Sequence, residues 1–343
     1  MRPDADRAAV TDTGAQSSVV ERTRPVAAGG PVIAAHFLGD RAAFVLAEEA
    51  VLVAAPDGSE QRLAIHDGGI LSAAGDGERI VTGGDNGKVM AIGLDGEAHL
   101  LATDAKRRWI DHVALGPDGT IAWSAGKTAF VRTCKGDERA LEVLSTVGGL
   151  AFAPKGVRLA VAHYNGVSLW FPNAAAEPER LEWKGSHLAV TISPDGRFVV
   201  TAMQEPMLHG WRVVDRKHMR MSGYSARVRS LGWTADGKWL ASAGSEQLIL
   251  WPFQSKDGPM GKAPRMLAPY PARAVVVACH PTQEVVAVGY ADGLALLVRV
   301  EDGAEILVRK SSTSPVSALA WRADGRAVAF GTEDGDAGVV DLG

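Results

Sequence analysis

One unit of about forty residues returns from one end of this chain to the other, and no other feature limits the fold so severely. Each copy reads as an apolar strand, a turn, a second apolar strand, a turn, a third strand ending in a large side chain, and a more polar fourth segment. The plainest copy is Leu188-Ala-Val-Thr-Ile-Ser-Pro-Asp-Gly-Arg-Phe-Val-Val-Thr-Ala202. Ser230-Leu-Gly-Trp-Thr-Ala-Asp-Gly-Lys-Trp-Leu-Ala-Ser-Ala-Gly244 and Ser317-Ala-Leu-Ala-Trp-Arg-Ala-Asp-Gly-Arg-Ala-Val-Ala-Phe-Gly331 repeat it. A unit this short cannot bury both faces of its own sheet, so copies must stack on one another.

The turn between first and second strands is the best anchor for counting. It occurs at Gly39-Asp40, Asp76-Gly77, Asp118-Gly119, Lys155-Gly156, Asp195-Gly196, Asp236-Gly237, Thr282-Gln283 and Asp324-Gly325. Hairpin turns need positive φ, which Gly, Asn and Asp tolerate best. The runs after these anchors, such as Phe198-Val-Val-Thr201 and Val285-Val-Ala-Val288, are almost continuously apolar, as expected for strands covered on both faces. Short strands repeated radially in this way specify an all-β, single β-propeller. Eight four-stranded blades are expected, with seven the alternative if the first unit is irregular.

The count yields eight three-strand cores but only seven fourth segments, because Gly343 follows the last third strand directly. An open ring would present an unpaired edge. The alternating segment Ser18-Val-Val-Glu-Arg-Thr23 is expected to fill the gap, so that residues 17–25 close the last blade of a propeller spanning 17–343. Residues 1–16 are polar and are expected to form a disordered tail. Trp170, Trp211 and Trp251 recur at one-repeat spacing, which points to core packing rather than ligand stacking.

Composition narrows the function classes. The net charge of −4 gives no footprint for nucleic acid, which asks for a basic face. No apolar run is long enough for a spanning helix, so no membrane association is expected. The charged start Met1-Arg-Pro-Asp-Ala-Asp-Arg7 lacks the apolar stretch of a secretory leader. Cys134 and Cys279 stand alone and are expected as partly buried small hydrophobes in a reducing, cytoplasmic setting.

At the Ser-Pro-Asp-Gly-Arg turn (Ser193 to Arg197), its variants Gly116-Pro-Asp-Gly119 and Thr234-Ala-Asp-Gly237, and the endings Leu169-Trp170 and Leu250-Trp251, the chain resembles the WD40 repeat family. The resemblance extends over about residues 18–343 and marks a divergent, bacterial-type member. Phe171, Arg212 and Pro252 follow the three tryptophans, so the Trp-Asp dipeptide is nowhere complete. Gly185-Ser-His187 is only an echo of the family's Gly-His. These departures leave the family's hydrogen-bond network inside each blade without its usual residues. What the resemblance implies is a non-catalytic scaffold for protein–protein interaction, monomeric alone, with no cofactor and no metal.

Fragments that look catalytic do not survive inspection. Ala125-Gly-Lys-Thr128 resembles the end of a phosphate loop, but Ile121 occupies the first glycine position and no helix follows. Glu333-Asp-Gly-Asp336 lacks the alternating ligands of a calcium loop, and Gly223-Tyr-Ser-Ala-Arg227 lacks the second glycine of a nucleophile elbow. No catalytic residues are therefore assigned. Loops joining fourth to first strands share one rim with the second-to-third hairpins, and this rim is rich in the residue types that anchor interfaces. The expected partner-binding set is Arg108, Trp109, Asp111, Tyr164, His187, Arg227, Arg229, Arg273 and Tyr290. The insertion from Gln254 to Pro269 reads as a mobile loop or a partner-specific arm. The alternative function is small-molecule binding, or catalysis, by residues converging at the mouth of the central channel.

Overall fold

A computed structural model describes residues 17–343, which form a ring of antiparallel strands with their first strands innermost. The tail expected over 1–16 lies outside the described residues. Consecutive first strands touch one another around the axis, and side chains stitch several of them together. The Trp233 indole donates to Thr191 Oγ1 at 2.9 Å, and the Trp321 indole to the Ala278 carbonyl at 2.9 Å. Each repeat then steps outward to an exposed fourth strand such as Glu60–Ala64 or Ala98–Thr103.

The strands group into seven hydrogen-bonded sheets, a correction to the eight separate blades expected. Six of the eight sequence repeats have a sheet each, while the fourth and fifth share a six-stranded one. The reason is local. Strand Leu159–Trp170 takes its second-to-third turn at Asn165-Gly166 without leaving extended pairing. Strand Glu179–Ile192 runs on from the fourth position of one repeat to the first position of the next. Elsewhere a loop separates those two positions.

The ring closes through its ends, five residues later than expected. Thr23–Ala27 pairs antiparallel with Asp336–Asp341, from Thr23 opposite Val340 to Ala27 opposite Asp336. Ser17–Ser18 instead pairs parallel with Glu305–Arg309 of the seventh repeat, and a short 3-10 turn at Val20–Arg22 links the two.

The core lies between neighbouring repeats. Leu38, Val45 and Val51 of the first pack against Ile70, Ile80 and Ile92 of the second. Val26, Val32 and Phe44 meet Ala318, Ala329 and Ala337 across the closure. Trp170, Trp211 and Trp251 are buried, as their repeat spacing indicated. Two anchor turns share one device: Asp195 Oδ1 accepts from Ser193 Oγ and the Arg197 amide, and Asp236 repeats this with Thr234 and Lys238. At Thr282-Gln283, where no aspartate is available, His280 Nδ1 accepts both amides instead.

Two expectations change with burial. Cys134 is exposed, whereas Cys279 is half-buried with its thiol pushed up to about 12 by desolvation. The insertion from Gln254 to Pro269 is not free over its first residues. Arg212 pairs with Asp257 and donates to the Lys256 carbonyl, while Gly258 sits against Phe198 and Phe253. Ala125-Gly-Lys-Thr128 is a hairpin between Ile121–Ala125 and Thr128–Arg132.

Candidate interaction face

The sheet topology places every fourth-to-first connection and every second-to-third hairpin on one face of the ring. A β-bulge recurs at the start of the first strand in repeats one, two, five, seven and eight. It leaves Ile33, Leu71, Leu188, Val275 and Ser317 without a cross-strand partner. A bulged residue turns its side chain out of the ladder, and two of the five, Val275 and Ser317, line a cavity on this face. Arg229 follows Val228 as Ser317 follows Val316, and Asp111 follows Ile110 as Leu71 follows Ile70. The mouth is therefore ringed by residues at one repeat position.

Over repeats six to eight the mouth opens into a cavity of about 550 Å³. Arg227, Arg229 and Ser230 line it from one connection, Arg273 from the next, with Ser317 and the hairpin residue Glu333 completing the wall. Arg227 donates to Gln204 Oε1 at 3.1 Å. Arg229 and Arg273 are exposed, and among the described residues neither guanidinium has a hydrogen bond or ion pair. Glu246 lies below the usual carboxylate range, chiefly through the Ser225 hydroxyl and to a lesser extent through the Arg273 charge.

The other half of the face is apolar and aromatic. Asp104, nearly buried, accepts from the Lys106 and Arg108 amides and pairs with the Arg108 guanidinium at 2.7 Å. Its own amide bonds the Gly87 carbonyl, while Arg107 sits at φ +51° over Gly87. This clamp holds Trp109 out with 61% of its surface exposed. Tyr164 is 49% exposed beside Asn165 at φ +70°, and Leu71, Leu144 and Leu188 are exposed on the same face.

The structure thus brings Arg227, Arg229 and Arg273 to one cavity and leaves Trp109 and Tyr164 free to make contacts. Arg108 is spent on Asp104, and Asp111 is half-buried with its carboxyl raised by desolvation. His187 and Tyr290 are corrections, because both lie beneath the surface. The His187 ring bonds Thr201 Oγ1 at 2.7 Å and the Trp183 carbonyl at 2.9 Å, and Tyr290 donates to the Ala268 carbonyl. Leu71, Leu144, Leu188 and Glu333 were missed. The one signal available was an apolar residue in an otherwise polar connection, or at the bulge position.

His187 belongs to an interior hydrogen-bond network, present although the Trp-Asp dipeptide is nowhere complete. In repeat five it joins Thr201 beside Trp211; in repeat six Tyr224 bonds Ser242 at 2.7 Å and accepts from the Trp251 indole at 2.7 Å. In repeat two His66 reaches Thr82 at 2.9 Å. The same positions are filled by different donors.

Comparison with known proteins agrees with this geometry. The family model described as WD domain, G-beta repeat matches residues 216–251, which hold the Thr-Ala-Asp-Gly turn and reach Trp251 of the third strand. Among solved structures, the crystal structure of the computationally designed Ika8 protein superposes with a TM-score of 0.74. That match has 17% identity and covers 91% of this chain and 96% of the design, so it speaks for the fold alone. No curated protein matches the chain. Repeat match, ring topology and interior network converge on a β-propeller that carries a WD40-type repeat at residues 216–251.

Proposed function

We propose that this propeller is a non-catalytic platform that binds a protein partner on the face described above. The observation behind this reading is the pairing, on one rim, of an arginine-lined cavity with a clamped, exposed tryptophan. Arg, Trp and Tyr combine rigid area with directional donors and dominate interface energetics. A pedestal already ordered before binding reduces the entropic cost of association. WD40-type propellers in general support such a role. With a net charge of −4, protein fits better than nucleic acid.

The alternative, a small-molecule or catalytic mouth, asks for His, Asp or Glu converging at the axis. The cavity presents three arginines and a single glutamate there. Affinity capture from the native host, followed by mass spectrometry, supplies the test. The double variant Trp109→Ala with Arg229→Ala should lose the captured partner while its melting curve stays unchanged. Capture at wild-type level by that variant would refute the choice of face.

A further inference from the structure

The charge chemistry of the two faces differs in a way that specifies the partner. On the opposite face, five arginines beside the turns are neutralised within the chain. Arg79 pairs with Asp76, Arg197 with Asp195, Arg212 with Asp215, Arg299 with Asp302 and Arg322 with Asp324. Around the cavity no such partner is supplied to Arg229 or Arg273 among the described residues, and Arg227 meets only a neutral amide. Three guanidinium groups against Glu333, with Glu246 near enough to feel the Arg273 charge, still leave a local excess of positive charge on a protein that is acidic as a whole.

Beside this basic half, the exposed apolar residues follow the ring in order: Leu188 next to the cavity, then Tyr164 and Leu144, then Trp109 and Leu71. Leu188 is the bulged residue of repeat five and Arg229 stands just before the first strand of repeat six, so the apolar and basic residues belong to adjacent repeats. Planar guanidinium forks suit carboxylates, and exposed aromatic and aliphatic groups suit large apolar side chains.

From this we infer that the partner presents an Asp/Glu-rich segment bearing large apolar side chains, laid across the channel mouth. Its carboxylates meet Arg227, Arg229 and Arg273, and its apolar side chains meet Leu188, Tyr164 and Trp109. The inference rests on the proposed function of this face and adds the chemistry of what the face accepts. Binding of this kind is steered by charge, so it weakens as salt shortens the screening length.

The test is selection from a displayed library of random dodecapeptides on the full chain, followed by fluorescence anisotropy on the recovered sequences. Recovered peptides should be net negative and contain Trp, Phe or Leu. Their affinity should fall roughly a hundredfold for the Arg227→Glu, Arg229→Glu, Arg273→Glu triple variant, since like charges then face each other. It should fall about tenfold for Trp109→Ala. A Gln204→Ala variant, which leaves all three charges in place, should bind normally and so controls for a local packing defect. Neutral or basic peptides, acidic peptides indifferent to the triple variant, or no enrichment over bare support would each overturn the inference. If the host partner is still lost on the Trp109/Arg229 variant while the selected peptides are not acidic, the face stands and only its assigned chemistry fails.

Discussion

His209 is the residue whose environment departs most from what its chemistry prefers. It is fully buried, stacks on Trp183 with ring centroids 4.1 Å apart, and meets the Trp211 ring edge-on. Neither ring nitrogen has a hydrogen-bond partner. Burial, followed by the charges of His187, His218 and Arg220, pushes its pKa down to about 3. His36, desolvated against the next first strand and only partly compensated by Asp76, is pushed down to about 4. In the unfolded chain both titrate near 6.5, so below that pH the unfolded state binds more protons than the native one. Stability contributed by these neutral rings is therefore complete above pH 6.5 and is lost as pH falls toward 4. Each histidine contributes at most about 1.4 kcal/mol per pH unit in that window. Carboxylates such as Asp324, held to about 2 by its hydrogen bond with Arg322, add their own loss from about pH 5 downward, in wild type and variant alike. Guanidinium denaturation at pH 7, 5.5 and 4 should show wild-type stability falling more steeply than that of His209→Phe, which keeps the ring but cannot titrate. Parallel slopes would remove the argument.

At the scale of single elements, the strand Leu159–Trp170 shows how much its turn depends on one residue. It doubles back at Gly166, where φ is +140° and a Cβ would lie 2.1 Å from the Leu181 carbonyl oxygen. Gly126, in the hairpin of the preceding repeat, has φ +61° and nothing within 4 Å of an added Cβ. Gly166→Ala is expected to cost about 3 kcal/mol or more, because strain and overlap coincide. Gly126→Ala is expected to cost only about 1 kcal/mol, since conformational strain acts alone. Equilibrium denaturation of the two variants checks the contrast, and equal losses would contradict it. The same element marks where the sequence was readable. Asp-Gly turns, apolar second strands and tryptophan-ended third strands follow from local propensity and period, and they appear where expected. Whether Glu179–Ile192 breaks between repeats depends on the pairing partners on both sides, which no local pattern encodes. For His187 and Tyr290 the difficulty is of another kind. A residue at a loop boundary faces solvent or core according to the twist of its sheet, and both lie on the inward side, where a hydroxyl and a carbonyl receive them.

At the scale of the whole molecule, the ring depends on contacts between its two ends. Thr23–Ala27 and Asp336–Asp341 are about as far apart in sequence as this chain permits, so their pairing is among the slowest contacts to form. It adds no new kind of interaction, yet it covers the edge of the last sheet and completes the cluster joining Val26 and Ala28 to Ala318 and Ala337. Deleting residues 1–27 removes that strand and leaves Asp336–Asp341 as an open, largely apolar edge, the kind of surface on which chains associate. The truncated protein should elute from size exclusion as oligomers and aggregates, and should melt several degrees below the full chain. A synthetic peptide of residues 19–30 should restore the elution position of the full chain by adding itself as the missing strand, because the edge offers a complete row of backbone groups and one apolar slot for Val26. The proline variant Val339→Pro, at the centre of the receiving strand, should abolish that rescue by removing a backbone donor from the ladder. If the truncated chain instead elutes as the full chain does, with an unchanged melting temperature, the terminal strand is an ornament, and inter-repeat packing alone keeps the ring closed.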